Sequence, residues 1–144
     1  MATVKPKRKL KKAESAEQKA FVTQTYFFYP DLLIFAVANG GSRHALEAVN
    51  LKNEGVLPGI PDIVIEEARG GSFGLRLEFK RPDLKPKTAR AIAGGRSKDQ
   101  VKIHDHLTRK GYLVFTVYSC AEAMDRLNAY MKLSPTIGFA ALTG

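Results

Sequence analysis

The sequence predicts a mixed α/β domain, with a central mixed sheet flanked by helices. Short apolar runs of strand length alternate with segments of helical periodicity, in the order helix, strand, helix, strand, strand, helix, strand, helix. A Gly-Gly turn between two of the strand candidates predicts that those two strands pair antiparallel. Two capping-box patterns mark where later helices begin.

The length of 144 residues and a hydrophobic content of 44% suit one domain with one core. Residues 1–12 are basic, include a proline and lack apolar periodicity, so we expect a disordered basic arm. We assign residues 13–144 to a single domain.

The first helix is predicted from Glu14 to about Thr25. One face carries residues at helical spacing. They are Gln18, Phe21, Val22 and Thr25. Pro30 prevents extension of this helix, and we expect the aromatic residues 27–29 to pack in the core.

The next segments lead toward the candidate site. Residues 32–37 form an apolar run that predicts a buried strand, and Asn-Gly-Gly at 39–41 predicts a turn. A short helix is expected from His44 to Asn53, ended by Gly55. Two prolines and a glycine make residues 57–61 a rigid connector to the following strand.

Two neighbouring strands are predicted around the turn at residues 70–71. The first, Asp62–Glu67, has an apolar centre that indicates cover on both faces. The second, Phe73–Lys80, alternates along its length. Phe73, Leu75, Leu77 and Phe79 fall on one face, and Gly74, Arg76, Glu78 and Lys80 on the other. The loop 81–96 is long enough to suggest a functional role.

Capping-box pairs predict the start of the last two helices. The pairs are Ser97 with Gln100 and Ser119 with Glu122. We expect a helix over 98–110, an apolar strand over 112–118, and a final helix to about Met131.

Positive charge is concentrated in two places. The formal net charge is +9, and residues 1–12 hold six bases and no acid. A second group of seven bases lies between positions 80 and 98 with one acid, Asp83. The seven are Lys80, Arg81, Lys85, Lys87, Arg90, Arg96 and Lys98. A focused positive field suits a phosphate polymer, although a solubilising tail and a solvated loop would look the same.

Several classes of protein are disfavoured. Cys120 is the single cysteine, so an internal disulfide is excluded and we expect a reducing, cytoplasmic setting. Apolar runs are too short to span a membrane, and we expect no secretory signal. Gly94-Gly95 lacks the Gly-Lys-Ser/Thr sequence of a phosphate loop, so we expect no nucleotide cofactor. His104 and His106 are two apart on a helix and do not make a zinc pair; His104 is expected to be packed.

Asp62, Glu78 and Lys80 are the candidate chemistry-bearing residues. Strand alternation puts Glu78 and Lys80 on one face, and antiparallel pairing would bring Asp62 to Glu78. Two close carboxylates repel unless a cation lies between them, and oxygen ligands suit Mg²⁺ or Mn²⁺. Lys80 could then orient water or offset phosphate charge. The alternative is a turn-capping Asp62 beside a surface ion pair of Glu78 and Lys80.

At this point the sequence resembles a known family. Pro61-Asp62 followed by Glu78-Phe79-Lys80 is similar to the signature of the PD-(D/E)XK nuclease superfamily. The wider set of motifs resembles the virus-type replication-repair nuclease (VRR-NUC) domain, over about residues 14–130. These motifs are Asn39-Gly40-Gly41, the segment 54–63, Leu77-Glu78-Phe79-Lys80-Arg81-Pro82, Ser97-Lys98-Asp99-Gln100 and Gly111-Tyr112.

The resemblance implies a restriction-endonuclease-like core and a site for Mg²⁺ or Mn²⁺. Asp62, Glu78 and the backbone carbonyl of Phe79 would hold the metal, and Lys80 would position the attacking water. Gln100 would lie at the edge of the site, although it could instead only cap its helix.

The family also has a glutamate on its first helix. Glu14 lies four residues before Gln18, as that pattern suggests, and Glu17 is the rival. Either acid could instead favour the helix N-terminus through the helix dipole. We prefer Glu14.

The implied function is a metal-dependent DNA endonuclease. Stand-alone members of the family resemble viral or phage proteins, and the resemblance suggests a homodimer acting on branched DNA such as Holliday junctions. The DNA backbone would be held by Arg81, Lys85, Lys87, Arg90, Arg96 and Lys98. The alternatives are a non-catalytic nucleic-acid-binding module of nuclease fold, or a nuclease acting on linear DNA or RNA.

Overall fold

A computed structural model of the chain describes residues 7–38, 45–87 and 94–136. Helices and strands follow one another in the predicted order. They are α1 (Lys7–Phe28), β1 (Ile34–Ala36), α2 (Ala45–Asn53), β2 (Ile63–Ile65), β3 (Leu75–Phe79), a 3₁₀ turn (Pro82–Leu84), α3 (Lys98–Arg109), β4 (Leu113–Val117) and α4 (Cys120–Met131).

The four strands form one mixed sheet in the order β1-β2-β3-β4. β1 with β2 and β2 with β3 are antiparallel, while β3 and β4 run parallel. The antiparallel neighbours expected around Gly70-Gly71 are confirmed, and both glycines have positive φ. Parallel strands need a crossover, and α3 supplies it between β3 and β4.

Helices cover both faces of the sheet. α1 and α4 pack against each other and against one face, where the Phe21 and Phe79 ring centroids are 5.7 Å apart. α3 packs on β4 from the other face of the sheet. Its buried His104 approaches Glu78, whose side chain lies on the face of β3 opposite to those of Leu77 and Phe79. This three-layer α/β arrangement confirms the predicted fold class.

The basic arm is shorter than predicted. α1 begins at Lys7, so residues 7–12 are helical and were wrongly assigned to a disordered arm. Lysine, arginine and leucine fill this stretch and are good helix formers, and it contains no glycine or proline. Residues 1–6 lie outside the described part of the chain.

Two expectations of burial were wrong. β1 was predicted to be buried, but Leu33 and Phe35 are exposed because β1 lies at the sheet edge and packs only one face. Of the aromatic residues 27–29, Phe27 and Phe28 are 78% and 62% exposed, and only Tyr29 packs against the core. α1 continues through Phe28 and turns these two rings away from the sheet.

The predicted alternation holds for the strand β3 and fails just before it. Leu75, Leu77 and Phe79 are fully buried on the core face. Phe73 precedes the strand and is exposed, lying over Gly111 and Tyr112 instead. All three residues of β2 are buried, as predicted.

Some expectations fall outside the described residues. The turn at 39–41, His44 and Arg90 are among them. In the part of the chain that is described, no helix is long and apolar enough to span a membrane.

Candidate active site

Asp62 lies directly before β2 and is tied to the neighbouring strand. Its Oδ2 accepts the backbone N–H of Phe79 at 2.8 Å, so the antiparallel register holds this carboxylate beside the end of β3. Burial raises the pKa of Asp62, against the lowering effects of the Phe79 hydrogen bond and the Lys80 charge. An ionised Asp62 therefore lies in a poorly solvated place with few compensating charges.

Glu78 is a buried acid on β3, only 2% exposed. Its Oε1 accepts a hydrogen bond from Nε2 of Gln100 at 2.6 Å and lies 3.5 Å from Nζ of Lys80. Burial, followed by the charge of Asp62, raises the pKa of Glu78 to about 8. The two carboxylates and the lysine predicted to converge do lie together.

Gln100 performs both of the roles that its sequence position suggested. Its side-chain oxygen accepts the Ser97 N–H at 2.9 Å, while its own backbone N–H donates to the Ser97 hydroxyl at 3.2 Å, which completes a capping box. Its side-chain nitrogen remains available for Glu78. The two ends of the amide thus serve the cap and the contact with Glu78 at the same time.

A cavity of about 620 Å³ opens over these residues. Its polar lining comprises Glu14, Lys52, Asp62, Glu78, Lys80 and Gln100, and its apolar lining comes from Ala38, α2 and residues 56–60. Of the two candidate acids on α1, Glu14 is therefore the one at the cavity. The carboxylate of Glu17 instead accepts the backbone N–H of Cys120 at 2.5 Å, at the start of α4.

Gly59 sets the spacing between the connector and α3. It has a φ of +88°, and a Cβ at this position would lie 2.6–2.8 Å from backbone atoms of Asp99 and Gln100. The absence of a side chain thus allows the first turn of α3 to approach the segment that leads into Asp62. This contact brings Gln100 within reach of Glu78.

His104 and Arg96 complete the surroundings of Glu78. Nη1 of Arg96 lies 3.2 Å from Nδ1 of His104, and the opposite ring nitrogen, Nε2, lies 4.0 Å from Oε2 of Glu78. Burial, then the charges of Arg96 and Lys80, lower the pKa of His104 to about 4, so the ring is neutral at neutral pH. The sequence indicated only a packed histidine. Its spacing of four residues from Gln100 was the available signal, because it puts both side chains on one helix face.

The bases expected to bind DNA are in different environments. Arg81 pairs with Asp83 at 3.3 Å and Lys85 with Glu122 at 3.5 Å. Arg96 is directed at His104, as described above. Lys87 and Lys98 are exposed and make no ion pair within the described ranges. The latter two are the best placed to contact a backbone phosphate.

The donors at the site fit a hard divalent cation. Within residues 7–38, 45–87 and 94–136, no group of three or more His, Cys, Asp or Glu side chains could hold a metal ion. Asp62 and Glu78 offer carboxylate oxygens whose pKa values are raised, and a bound cation would relieve this unfavourable ionisation. Mg²⁺ and Mn²⁺ commonly bind through few carboxylates and complete their shells with water and phosphate oxygens. Phe79 could contribute only its backbone, because its side chain is in the core.

Comparison with solved structures supports the fold. The chain is similar to a VRR_NUC domain protein, with a TM-score of 0.66 and 22% sequence identity, over 88% of this chain and 93% of that one. No family model matches the sequence. No curated protein matches it either. The chain therefore has the fold of a VRR-NUC domain, as its motifs predicted.

Proposed function

We propose that the protein is a Mg²⁺- or Mn²⁺-dependent DNA endonuclease. The observation that carries this proposal is the convergence of Asp62, Glu78 and Lys80 in one cavity, with the pKa of Glu78 raised to about 8 by burial and by Asp62. Perturbed acids in a cleft are typical of functional sites. The similarity in fold to a VRR_NUC domain protein supports the same function. Two acids and a lysine in one cavity also suit metal-assisted hydrolysis of a phosphodiester.

Each residue has a distinct part in the proposed reaction. A metal held by Asp62 and Glu78, with the Phe79 carbonyl as a further donor, would supply Lewis-acid polarisation of the phosphate and a lowered pKa of water. Lys80 orients the nucleophilic water from its place 3.5 Å from Oε1 of Glu78. Gln100 holds that same oxygen in place through its 2.6 Å hydrogen bond.

DNA is proposed to be held through its phosphates. Lys87 is exposed in the loop that follows β3 and Lys98 is exposed at the first residue of α3, so their charges are available to the DNA backbone. Contacts of this kind read charge and shape, so we expect little base specificity.

We further propose that two copies act together on branched DNA, such as a four-way junction. Large apolar side chains are exposed at β1 and on α2, and exposed apolar side chains of this size favour a protein partner. They are Leu33, Phe35, Leu46 and Val49. A symmetric pair would present two sites to two strands.

Cleavage assays test the catalytic part of this proposal. A labelled four-way junction and a matching linear duplex are incubated with Mg²⁺, Mn²⁺ or EDTA, beside the Lys80→Ala and Glu78→Ala variants. We expect metal-dependent cutting of the junction, lost in both variants, while Glu78→Ala keeps much of its DNA binding. Cutting of linear DNA alone would retain the nuclease and remove the junction preference. Binding without metal-dependent cutting by the unmodified protein would leave a non-catalytic module.

Light scattering tests the dimer separately. We expect twice the mass of the chain for the unmodified protein and the mass of one chain for Leu46→Glu/Val49→Glu, because two buried carboxylates would disfavour the interface. A single-chain mass for the unmodified protein, with and without DNA, would contradict the dimer and leave the nuclease proposal intact.

A further inference from the structure

The carboxylate of Glu78 has one oxygen that the proposed mechanism does not use. Oε1 is contacted by Gln100 and Lys80, whereas Oε2 is buried and has no hydrogen-bond partner among the described residues. A complementary atom, Nε2 of His104, lies 4.0 Å from it, and this nitrogen is also buried and also lacks a partner among them. Buried polar atoms are rarely left unpaired, because each loses its hydration on folding.

Arg96 determines which nitrogen of His104 carries the proton. A guanidinium can only donate, so Nδ1, at 3.2 Å from Arg96, must be the accepting nitrogen. The proton of the neutral ring is then on Nε2, the atom that faces Oε2 of Glu78. The two groups thus have the right polarity for a hydrogen bond, although at 4.0 Å they are separated by more than its length.

We propose that His104 is a positioning residue for the metal-binding carboxylate of Glu78, with its Nε2–H donating to Oε2 and with Arg96 fixing the tautomer that this requires. The inference rests on the proposed function, since it assumes that Glu78 binds a metal. The Nε2–Oε2 separation closes when the site is loaded, as contacts around reacting groups commonly tighten in the occupied state. Oε2 is then held from the α3 side, so both oxygens of the carboxylate that would bind the cation are oriented by neighbouring side chains.

This assignment gives Arg96 a task other than the DNA contact expected from its sequence position. Its guanidinium contacts Nδ1 of His104, a side chain that is 3% exposed, and it acts on the metal site through that ring. Partners of this kind orient metal ligands, and their loss typically lowers metal affinity or activity by about 10- to 100-fold.

The experiment measures Mn²⁺ binding by isothermal titration calorimetry, without DNA. The variants are His104→Leu, His104→Gln and Arg96→Met, with His106→Leu as the matched control, because His106 is exposed on the same helix. We expect the dissociation constant to rise about 10-fold or more in His104→Leu. It should also rise in Arg96→Met, be largely restored in His104→Gln, whose amide keeps a donor, and be unchanged in His106→Leu.

Two further readouts separate positioning from folding and from phosphate binding. Thermal unfolding in EDTA identifies any variant that has lost its structure, and if His104→Leu has, Arg96→Met carries the comparison. Nitrogen-15 spectra of the histidine ring should show the Nε2–H tautomer in the unmodified protein and lose that preference in Arg96→Met. An Nδ1–H tautomer would overturn the proposal.

The results also distinguish this inference from the proposed function. If the unmodified protein binds Mn²⁺ and cleaves DNA while a folded His104→Leu binds the ion equally well, the positioning role is wrong and the nuclease stands. If Arg96→Met weakens only DNA binding, Arg96 is a phosphate contact and the tautomer argument fails. Absence of Mn²⁺ binding by the unmodified protein would overturn the proposed function and this inference together.

Discussion

The side-chain amide of Gln100 joins helix α3 to the carboxylate of Glu78. Its nitrogen donates to Oε1 at 2.6 Å, and its oxygen accepts the Ser97 N–H that starts the helix. Rotating the amide would break both contacts, so the orientation of Glu78 is fixed by the same group that fixes the beginning of α3.

Gln100→Ala should impair the proposed reaction more than the loss of a helix cap explains. Ser97→Ala is the matched control, because it removes the capping hydroxyl and leaves the Gln100–Glu78 contact. Such a cap is worth about 1 kcal/mol of stability. We expect Ser97→Ala to lower the melting temperature with little change in kcat, and Gln100→Ala to lower kcat about 10-fold or more. Equal kcat values in the two variants would mean that Gln100 only caps the helix.

The metal-free protein should lose stability as the pH rises from 6.5 to 8. The pKa of Glu78 is about 8 in the folded state, against 4.5 for an ordinary glutamate as in the unfolded chain. Between these values the folded state binds one more proton than the unfolded state, and the stability that this proton contributes is lost as the pH rises through 8. The slope is limited to about 1.4 kcal/mol per pH unit for one proton. His104 acts in the opposite direction, but only between about 4 and 6.5, because its folded pKa is lowered.

Denaturant unfolding in EDTA at several pH values measures this slope. Glu78→Gln should flatten it, since an amide does not titrate in this range. Addition of Mg²⁺ should also flatten it by favouring the ionised carboxylate. A stability that rises over this interval in the unmodified protein would contradict a raised pKa at Glu78.

Gly59→Ala should damage both stability and the site. Gly55→Ala is the control, because Gly55 has a comparable φ of +98° but nothing lies within 4 Å of its added Cβ. Both substitutions place an alanine in a left-handed backbone conformation, which costs about 1–2 kcal/mol. Only Gly59→Ala also pushes against the backbone of Asp99 and Gln100, so it should be the less stable variant and the only one with reduced cleavage. Similar melting temperatures and activities for the two would show that the close approach is not needed.

Salt dependence should identify the bases that contact DNA. Each phosphate contact contributes about 0.9 to the slope of log K against log salt for duplex DNA. We expect Lys87→Gln and Lys98→Gln to lower the slope by about that amount each. Lys132→Gln, at the far end of α4, should leave it unchanged. Fluorescence anisotropy over a range of salt concentrations gives the slope, and unchanged slopes for the first two would exclude them as contacts.

The sequence was sufficient for the order of elements and for the residues that meet in the cavity. Alternation along β3 and the turn at Gly70-Gly71 are local signals, and they bring Asp62 toward Glu78 without further information. The edge position of β1 could not be predicted, because an apolar run looks the same whether one face or both are covered. The exposure of Phe27 and Phe28 could not be predicted either, because a run of aromatic residues looks the same in sequence whether its side chains are buried or exposed.

The surroundings of Glu78 were only partly predictable. Its position on a strand was clear, but its burial depends on α3 crossing the sheet, a tertiary contact with no local signature. For the same reason His104 could be recognised as packed but not as a neighbour of this carboxylate. The division of the Gln100 amide between two partners also required the distance between helix and strand.

Phe79 occupies the variable position between Glu78 and Lys80, and its side chain packs on Phe21 while its N–H holds Asp62. Hydrolysis requires nothing of that side chain, so the chemistry would accept any residue there. The hydrophobic interior does not, because a smaller or polar group would open a void or bury an unpaired atom directly beneath the two carboxylates. The choice of residue at this position is thus limited by the core beneath the two carboxylates and not by the proposed chemistry.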